Sequence, residues 1–442
     1  MRSRKLKNLF VSIVSTITVL TGALCGGIPG DASLSFAASK EQEKESSTGS
    51  HLEGRSDVIR IGTWYADNYL YSLKAFLART FPDYEFEFEY VDKSNYEPIM
   101  DAKLSSKSAP DILYVDREMV QKHARTGYIL NVTDICDDFT DEAKIALGYG
   151  NAVYAVPNTS QFECIYYNKT LFKDKGVEVP TSLPTFIGAC DELRIVKQIT
   201  PLATSVKDPY DMADLALGVL SANYFSTDRG SGFGGRLQYG RTTFTSEVMP
   251  YMSDWSVLLN HNILTNDHYT SDEMTAIEQF VNEEAAMIIG GPETYSTVIR
   301  ENPTMNIGTM PFFGTSGAQK AIIGGCDVGF AVNANGLNVE RAIEVVTAFT
   351  TYEGQQALSI DRPGSVTYLK DVTFASSQVY SGIKECYEKG LVFTPWMDWG
   401  VELNKQTHYK FGRELQRVLL GRESLADALK NTDALVYEIL HE

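Results

Sequence analysis

Positive charge is scarce in this chain: 39 Lys and Arg stand against 57 Asp and Glu in 442 residues, a net charge of −18. An acidic surface of that size argues against nucleic acid or an anionic membrane as partner. Cysteine is also sparse. Outside Cys25 there are Cys136, Cys164, Cys190, Cys326 and Cys386, odd in number, widely spaced and without a CxxC pair. This argues against a disulfide framework and leaves room for one bridge. The six histidines form no HExxH, so no metal and no cofactor are expected. A G-x-S-x-G elbow is missing, which removes the anchor of a nucleophile-elbow hydrolase. The glycine run "GSGFGG" at 230–235 has neither a strand before it nor a Lys-Ser/Thr after it, and reads as a mobile surface loop rather than a phosphate loop. With this many carboxylates, any pairing of two for glycoside hydrolysis is uninformative. No enzyme signature survives.

What is present begins with an export segment. Arg2, Arg4, Lys5 and Lys7 precede an apolar run from Leu9 to Leu24, and Ser35-Phe36-Ala37 supplies a small-x-small cleavage pattern. Cleavage near Ala37, retention as an anchor and lipidation of Cys25 all remain open, and each puts the body outside the cytoplasm. Residues 1–38 are read as this segment and 39–56, "SKEQEKESSTGSHLEGRS", as a flexible polar stalk.

From Asp57 the chain alternates. "DVIRIGTWY" reads as a strand ending in aromatics, "LYSLKAFLARTFPDY" as a helix stopped near Pro82, and "YEFEFEYV" as a strand. Asn95–Ser105 reads as a second helix and "DILYV" as a third strand closed by Asp116. That order predicts an α/β layered lobe with a largely parallel sheet, whose ligands sit at the carboxyl ends of the strands. "EEAAMIIGG" and "NIGTMPFF" read as buried strands, and "GGCDVGFAVNA" as a strand re-entering the first layer. "VERAIEVVTAFTTYEGQQAL" reads as one helix, and helical patterns dominate from Tyr409 onward.

Tryptophan occurs only at 64, 255, 396 and 399. Trp64 lies at a predicted strand end, and Trp396 and Trp399 in the loop-like "FTPWMDWG". Sugar rings present apolar C–H faces and a rim of hydroxyls, so a site for them needs aromatic platforms beside carboxylates, amides or guanidinium groups. Asp116, Asp398 and Arg362 lie near loop ends of the same kind. Core packing of the tryptophans and helix capping by Asp116 are the competing readings.

Six stretches together resemble the extracytoplasmic solute-binding proteins of ABC importers, in the family that binds carbohydrates and oligosaccharides and includes maltose-binding-protein-like members. They are "SAPDILYVD", "TGYILNVTDI", "YAVPNTSQFECIYYNKTLFKDKGVEVPTSLPTF", "EEAAMIIGGPETYS", "NIGTMPFFG" and "GGCDVGFAV", in the family's order and spacing. The resemblance implies two α/β lobes joined by hinge strands, with ligand held in the interlobe cleft. It implies a first lobe at 57–161 plus 312–361 and a second at 162–311 plus 362–442. The ligand-facing set it implies is Trp64, Tyr65, Asp67, Asp116, Gln161, Glu293, Tyr295, Cys326, Asp327, Arg362, Trp396 and Trp399. Its implied partners are a carbohydrate and the subunits of an ABC permease, for a monomer tethered at the cell surface. One departure matters: after Gly291-Pro292, where many relatives carry a stacking Trp, this chain has Glu293-Thr294-Tyr295. The extra carboxylate would suit a cationic or other non-sugar solute as well. A ligand-sensing subunit for a membrane kinase and a secreted glycan-active enzyme are the other readings.

Overall fold

In the computed structural model the described residues are 58–441, apart from 317, 327, 363–364 and 373–377. The export segment and stalk therefore lie outside the described residues, as does Asp327. No described helix is long and apolar enough to cross a membrane.

The first layer forms as the alternation predicts. β1 (Val58–Thr63) pairs in parallel with β2 (Glu85–Tyr90) and with β3 (Ile112–Asp116). Ile59 and Ile61 are fully buried, and the solvent-side glutamates of "EFEFEY" keep β2 soluble as an edge strand. α1 (Tyr71–Thr80) buries Leu73, Phe76 and Leu77 on one face. Two amide donors of its first turn are satisfied from far along the chain, because Ser72 N and Leu73 N donate to the Asp361 carboxylate at 2.8 and 2.9 Å. α2 (Lys93–Ser105) buries Tyr96, Met100 and Leu104, and α3 (Arg117–Thr126) ends at Gly127, whose φ of +72° closes the helix. Val328–Val332 then joins β3 antiparallel, with Phe330 opposite Tyr114, and Val156–Pro157 closes the sheet.

A second sheet is built around Gln161–Asn168. It is flanked by Lys320–Gly325 and by Ala285–Gly290, the latter parallel to Thr200–Ala203; Ile307–Met310 pairs with the same central strand. Hydrophobic residues gather accordingly around each sheet, Ile61, Leu113 and Phe330 in one core and Phe172, Met212 and Trp255 in another. This is the two-lobed arrangement.

Four expectations need correction. Residues 312–325 do not belong with the first lobe: Phe312–Phe313 and Lys320–Gly325 extend the second sheet, and the chain re-enters the first only at Val328. The turn is made by Gly324 and Gly325 at φ +142° and +154°, where a Cβ on Gly324 would sit 2.2 Å from the Gln161 carbonyl. Likewise the chain does not leave the first lobe at Asp361, since Tyr368 and Leu369 are buried in that core and Thr140 N donates to Tyr368 O at 2.9 Å. The helix read over 339–358 is two, Val339–Ala348 and Tyr352–Asp361, because Thr351 caps the second by accepting from Gly354 N at 3.1 Å. The glycine run is no mobile loop: it folds into Asp228–Ser231 and Phe233–Leu237, and a Cβ on Gly234 would lie 2.4 Å from the Asp398 carbonyl.

Candidate functional site

Strand ends from both sheets open onto one cavity of about 630 Å³. β1 runs into Trp64 and Tyr65, Thr200–Ala203 into Thr204 and Ser205, and Ala285–Gly290 into Gly291 and Glu293, all of which line it. Gln161 and Glu163 contribute from the central strand, with Thr394, Trp396 and His408 from the C-terminal part. The position at carboxyl ends of strands is the one the α/β pattern dictates.

The first-lobe wall is aromatic and braced. Trp64 meets Tyr96 edge-on at 4.9 Å and Tyr114 at 5.7 Å, and Tyr65 meets Tyr114 at 5.5 Å. The Arg362 guanidinium lies 3.9 Å from the Tyr65 ring centre, a cation–π contact that holds the ring from behind. Gln161 Nε2 donates to the Tyr65 hydroxyl at 3.3 Å, tying the central strand of one lobe to the aromatic wall of the other. On the opposite side Trp396 stacks on the His408 imidazole, 4.4 Å between centres and 11° between planes, and His408 Nε2 is 2.8 Å from Asp214 Oδ1.

The second-lobe wall is acidic. Asp211 and Asp214, three residues apart, fall on one face of the helix Pro209–Leu220, and Glu273 and Glu293 begin Glu273–Val281 and Pro292–Glu301. Asp211, Glu273 and Glu293 thus occupy first turns, where the peptide dipoles favour a carboxylate. Glu163 sits on a strand without that help. Burial, with the charges of Asp214, Asp211, Glu273 and Glu293, drives its carboxyl well above the usual range. Asp211 and Glu273 stand exposed at the edge of this wall, where partial desolvation with the neighbouring Asp208, Asp214 and Glu273 pushes Asp211 up to about 7, and partial desolvation with Glu293 raises Glu273. Lys93 is the only Lys or Arg among the described residues that line the cavity.

Of the residues expected to face a ligand, Trp64, Tyr65, Gln161, Glu293 and Trp396 line this cavity. Asp327 lies outside the described residues, and the remaining six fall elsewhere. Asp116 caps α3, its Oδ1 accepting from Met119 N at 2.8 Å, and burial raises its carboxyl. Tyr295 stacks on Tyr166 at 6.0 Å and meets Tyr380 edge-on, inside the second lobe. Trp399 is fully buried against Phe244, 5.2 Å away and nearly perpendicular. Cys326 is buried in the first core. Asp67 is exposed and paired with Lys74 at 2.7 Å. Arg362 reaches the site only through Tyr65.

Sequence reasoning missed Lys93, Glu163, Asp211, Asp214, Glu273 and His408. One signal was available: Gln161 and Glu163 place two polar side chains on the same face of an otherwise apolar strand. The acidic helix starts carried none, being scattered among many other carboxylates.

The family of bacterial extracellular solute-binding proteins matches this chain over residues 72–377. A multiple sugar-binding protein of Streptococcus mutans serotype c is 24% identical over 289 residues, 62% of this chain and 66% of the relative, just under two thirds of its length. Among solved structures, a chitin oligosaccharide binding protein superposes with a TM-score of 0.71 at 19% identity, covering 87% of this chain and 99% of its own. A family 1 extracellular solute-binding protein from Bifidobacterium longum subsp. infantis gives 0.69 at 16% identity, over 86% and 98%.

Proposed function

As the chain belongs to the bacterial extracellular solute-binding proteins, we propose that it captures a carbohydrate between its lobes and delivers it to an ABC permease. The family is one of carriers rather than catalysts, and the cavity has the form a carrier needs. The observation that carries the reading is the pair of aromatic faces, Trp64 with Tyr65 on one wall and Trp396 on the other, in a cavity whose rim is carboxylate, amide and hydroxyl. Aromatic faces pack on the C–H faces of a pyranose, and planar polar groups pair with its vicinal hydroxyls. The sugar-binding names of the S. mutans relative and of the chitin oligosaccharide binding protein support the same class. Trp64, Tyr65, Gln161, Glu293 and Trp396 are the contacts we assign to the ligand.

The chain passes between the lobes after Pro157, after Gly325 and again after Leu369, which lies in the first core, while Val379 lies in the second lobe. Closure about these crossings would bury the ligand fully, and opening would release it to the transporter. The N-terminal segment serves export, with the body held at the cell surface as a monomer by a lipidated Cys25 or by the uncleaved apolar run.

Titration of the mature protein with an oligosaccharide panel, followed by tryptophan fluorescence and by melting, tests this. A true ligand at 100 times its Kd should stabilise by about 2.7 kcal/mol. A panel in which no saccharide shifts either signal would overturn the carbohydrate assignment.

A further inference from the structure

Five carboxylates line the cavity, and four of them, Glu163, Asp211, Glu273 and Glu293, hold no hydrogen bond or ion pair with any described side chain. The fifth, Asp214, is engaged with His408. No group of described residues converges tightly enough to hold a metal ion. The charges are instead spread over one wall, facing the aromatic wall across the cleft.

That distribution creates a demand that closure makes acute. A neutral ligand would displace water from these carboxylates and supply no counter-charge, and Lys93, the one Lys or Arg among the described residues lining the cavity, cannot balance five acids. Helix dipoles assist three of them, but not Glu163, which lies on a strand. An ammonium group answers the demand directly, with charge-assisted hydrogen bonds to the acids and a cation–π contribution from the facing rings.

We propose that the saccharide held in this cleft carries at least one protonated amine, the acidic wall recognising the charge and the aromatic wall the ring. The proposal rests on the carbohydrate reading above. Free polyamines share the ammonium chemistry but would leave the facing aromatic platforms without a ring to stack on.

The test is calorimetric titration of the mature protein with a glucosamine trimer, its fully N-acetylated counterpart and a neutral glucose trimer. The amine form is expected to bind at least about tenfold tighter than either. Its affinity should weaken with added salt. The double variant Asp211→Asn, Glu273→Gln should cut the preference for the amine form to below about threefold. Should that variant fail to fold, Glu293→Gln, at the start of a helix, should lower the same ratio. Equal or tighter binding of the N-acetylated or neutral trimer would overturn the proposal and leave the carbohydrate carrier standing. Binding of spermidine with no binding of any saccharide would overturn both together.

Discussion

At the scale of single residues, two tryptophans three positions apart do different work. Trp396 is half-buried, stacked on His408 and open to the cavity, whereas Trp399 is sealed against Phe244. Trp399→Ala should therefore lower stability by about 3–5 kcal/mol, the range for emptying an aromatic core site, in denaturant melts. Trp396→Ala should spare most of that stability and instead weaken ligand binding by about one to two orders of magnitude, read by titration calorimetry. Asp116 belongs with Trp399 in this respect. Its carboxylate accepts the Met119 amide, so Asp116→Ala should cost about 1 kcal/mol of stability and leave ligand affinity unchanged. A tenfold loss of affinity in a well-folded Asp116→Ala would return it to the ligand.

At the scale of elements, most strands and helices were legible, and the failures have local causes. β1, β2 and β3 announce themselves by alternation bounded by Pro and Asp, and Gly127 marks the end of α3. The break at Thr351 was hidden because apolar spacing continues across it while a β-branched cap restarts the helix. The site was half legible. Aromatics at strand ends point to their role by rarity, but Asp211, Glu273 and Glu293 gain meaning only when three helix starts, far apart in sequence, are brought to one wall. The same assembly sets the contact between lobes. Lys405, on Asn404–Leu419, reaches Glu97 of α2 at 2.6 Å and Glu118 of α3 at 2.7 Å, and Arg117 meets Asp398 at 3.5 Å. These groups are partly exposed, so each pair contributes no more than about 1 kcal/mol and is screened by salt. Lys405→Met should consequently speed ligand release by about two- to fivefold in stopped-flow, with the ratio shrinking in high salt. An unchanged release rate would mean that these pairs do not bias closure.

At the scale of the whole molecule, part of the acidic balance of the chain lies where it couples function to pH. Glu163, Asp211, Glu273 and Asp116 all have carboxyls raised by desolvation, so the folded, empty protein binds protons more tightly there than the unfolded chain does. Linkage then fixes the sign. With more protons bound in the folded state, stability falls as pH rises from the unfolded carboxylate range near ~4 through the folded values, about 7 for Asp211. Glu247 opposes this at the acid end, and His123, its imidazole lowered by burial, opposes it nearer neutral pH. Against the cost of its burial Glu247 is held down to about 2 by hydrogen bonds from Arg236 and Thr242, and its stabilisation is lost only as pH drops below its unfolded value toward 2. Between about pH 5 and pH 7.5 the raised acids dominate, and the melting temperature of the empty protein should decline steadily with rising pH. Asp211→Asn should raise the melting temperature at the upper end of that window and flatten the slope, because it removes one proton site and one repulsive charge together. A ligand bearing an ammonium group should flatten it further by pairing with the acids that remain. A melting temperature that climbs with pH over the same interval would show that these carboxyls ionise freely in the open cleft, and that the acidic wall imposes no charge demand on what it binds.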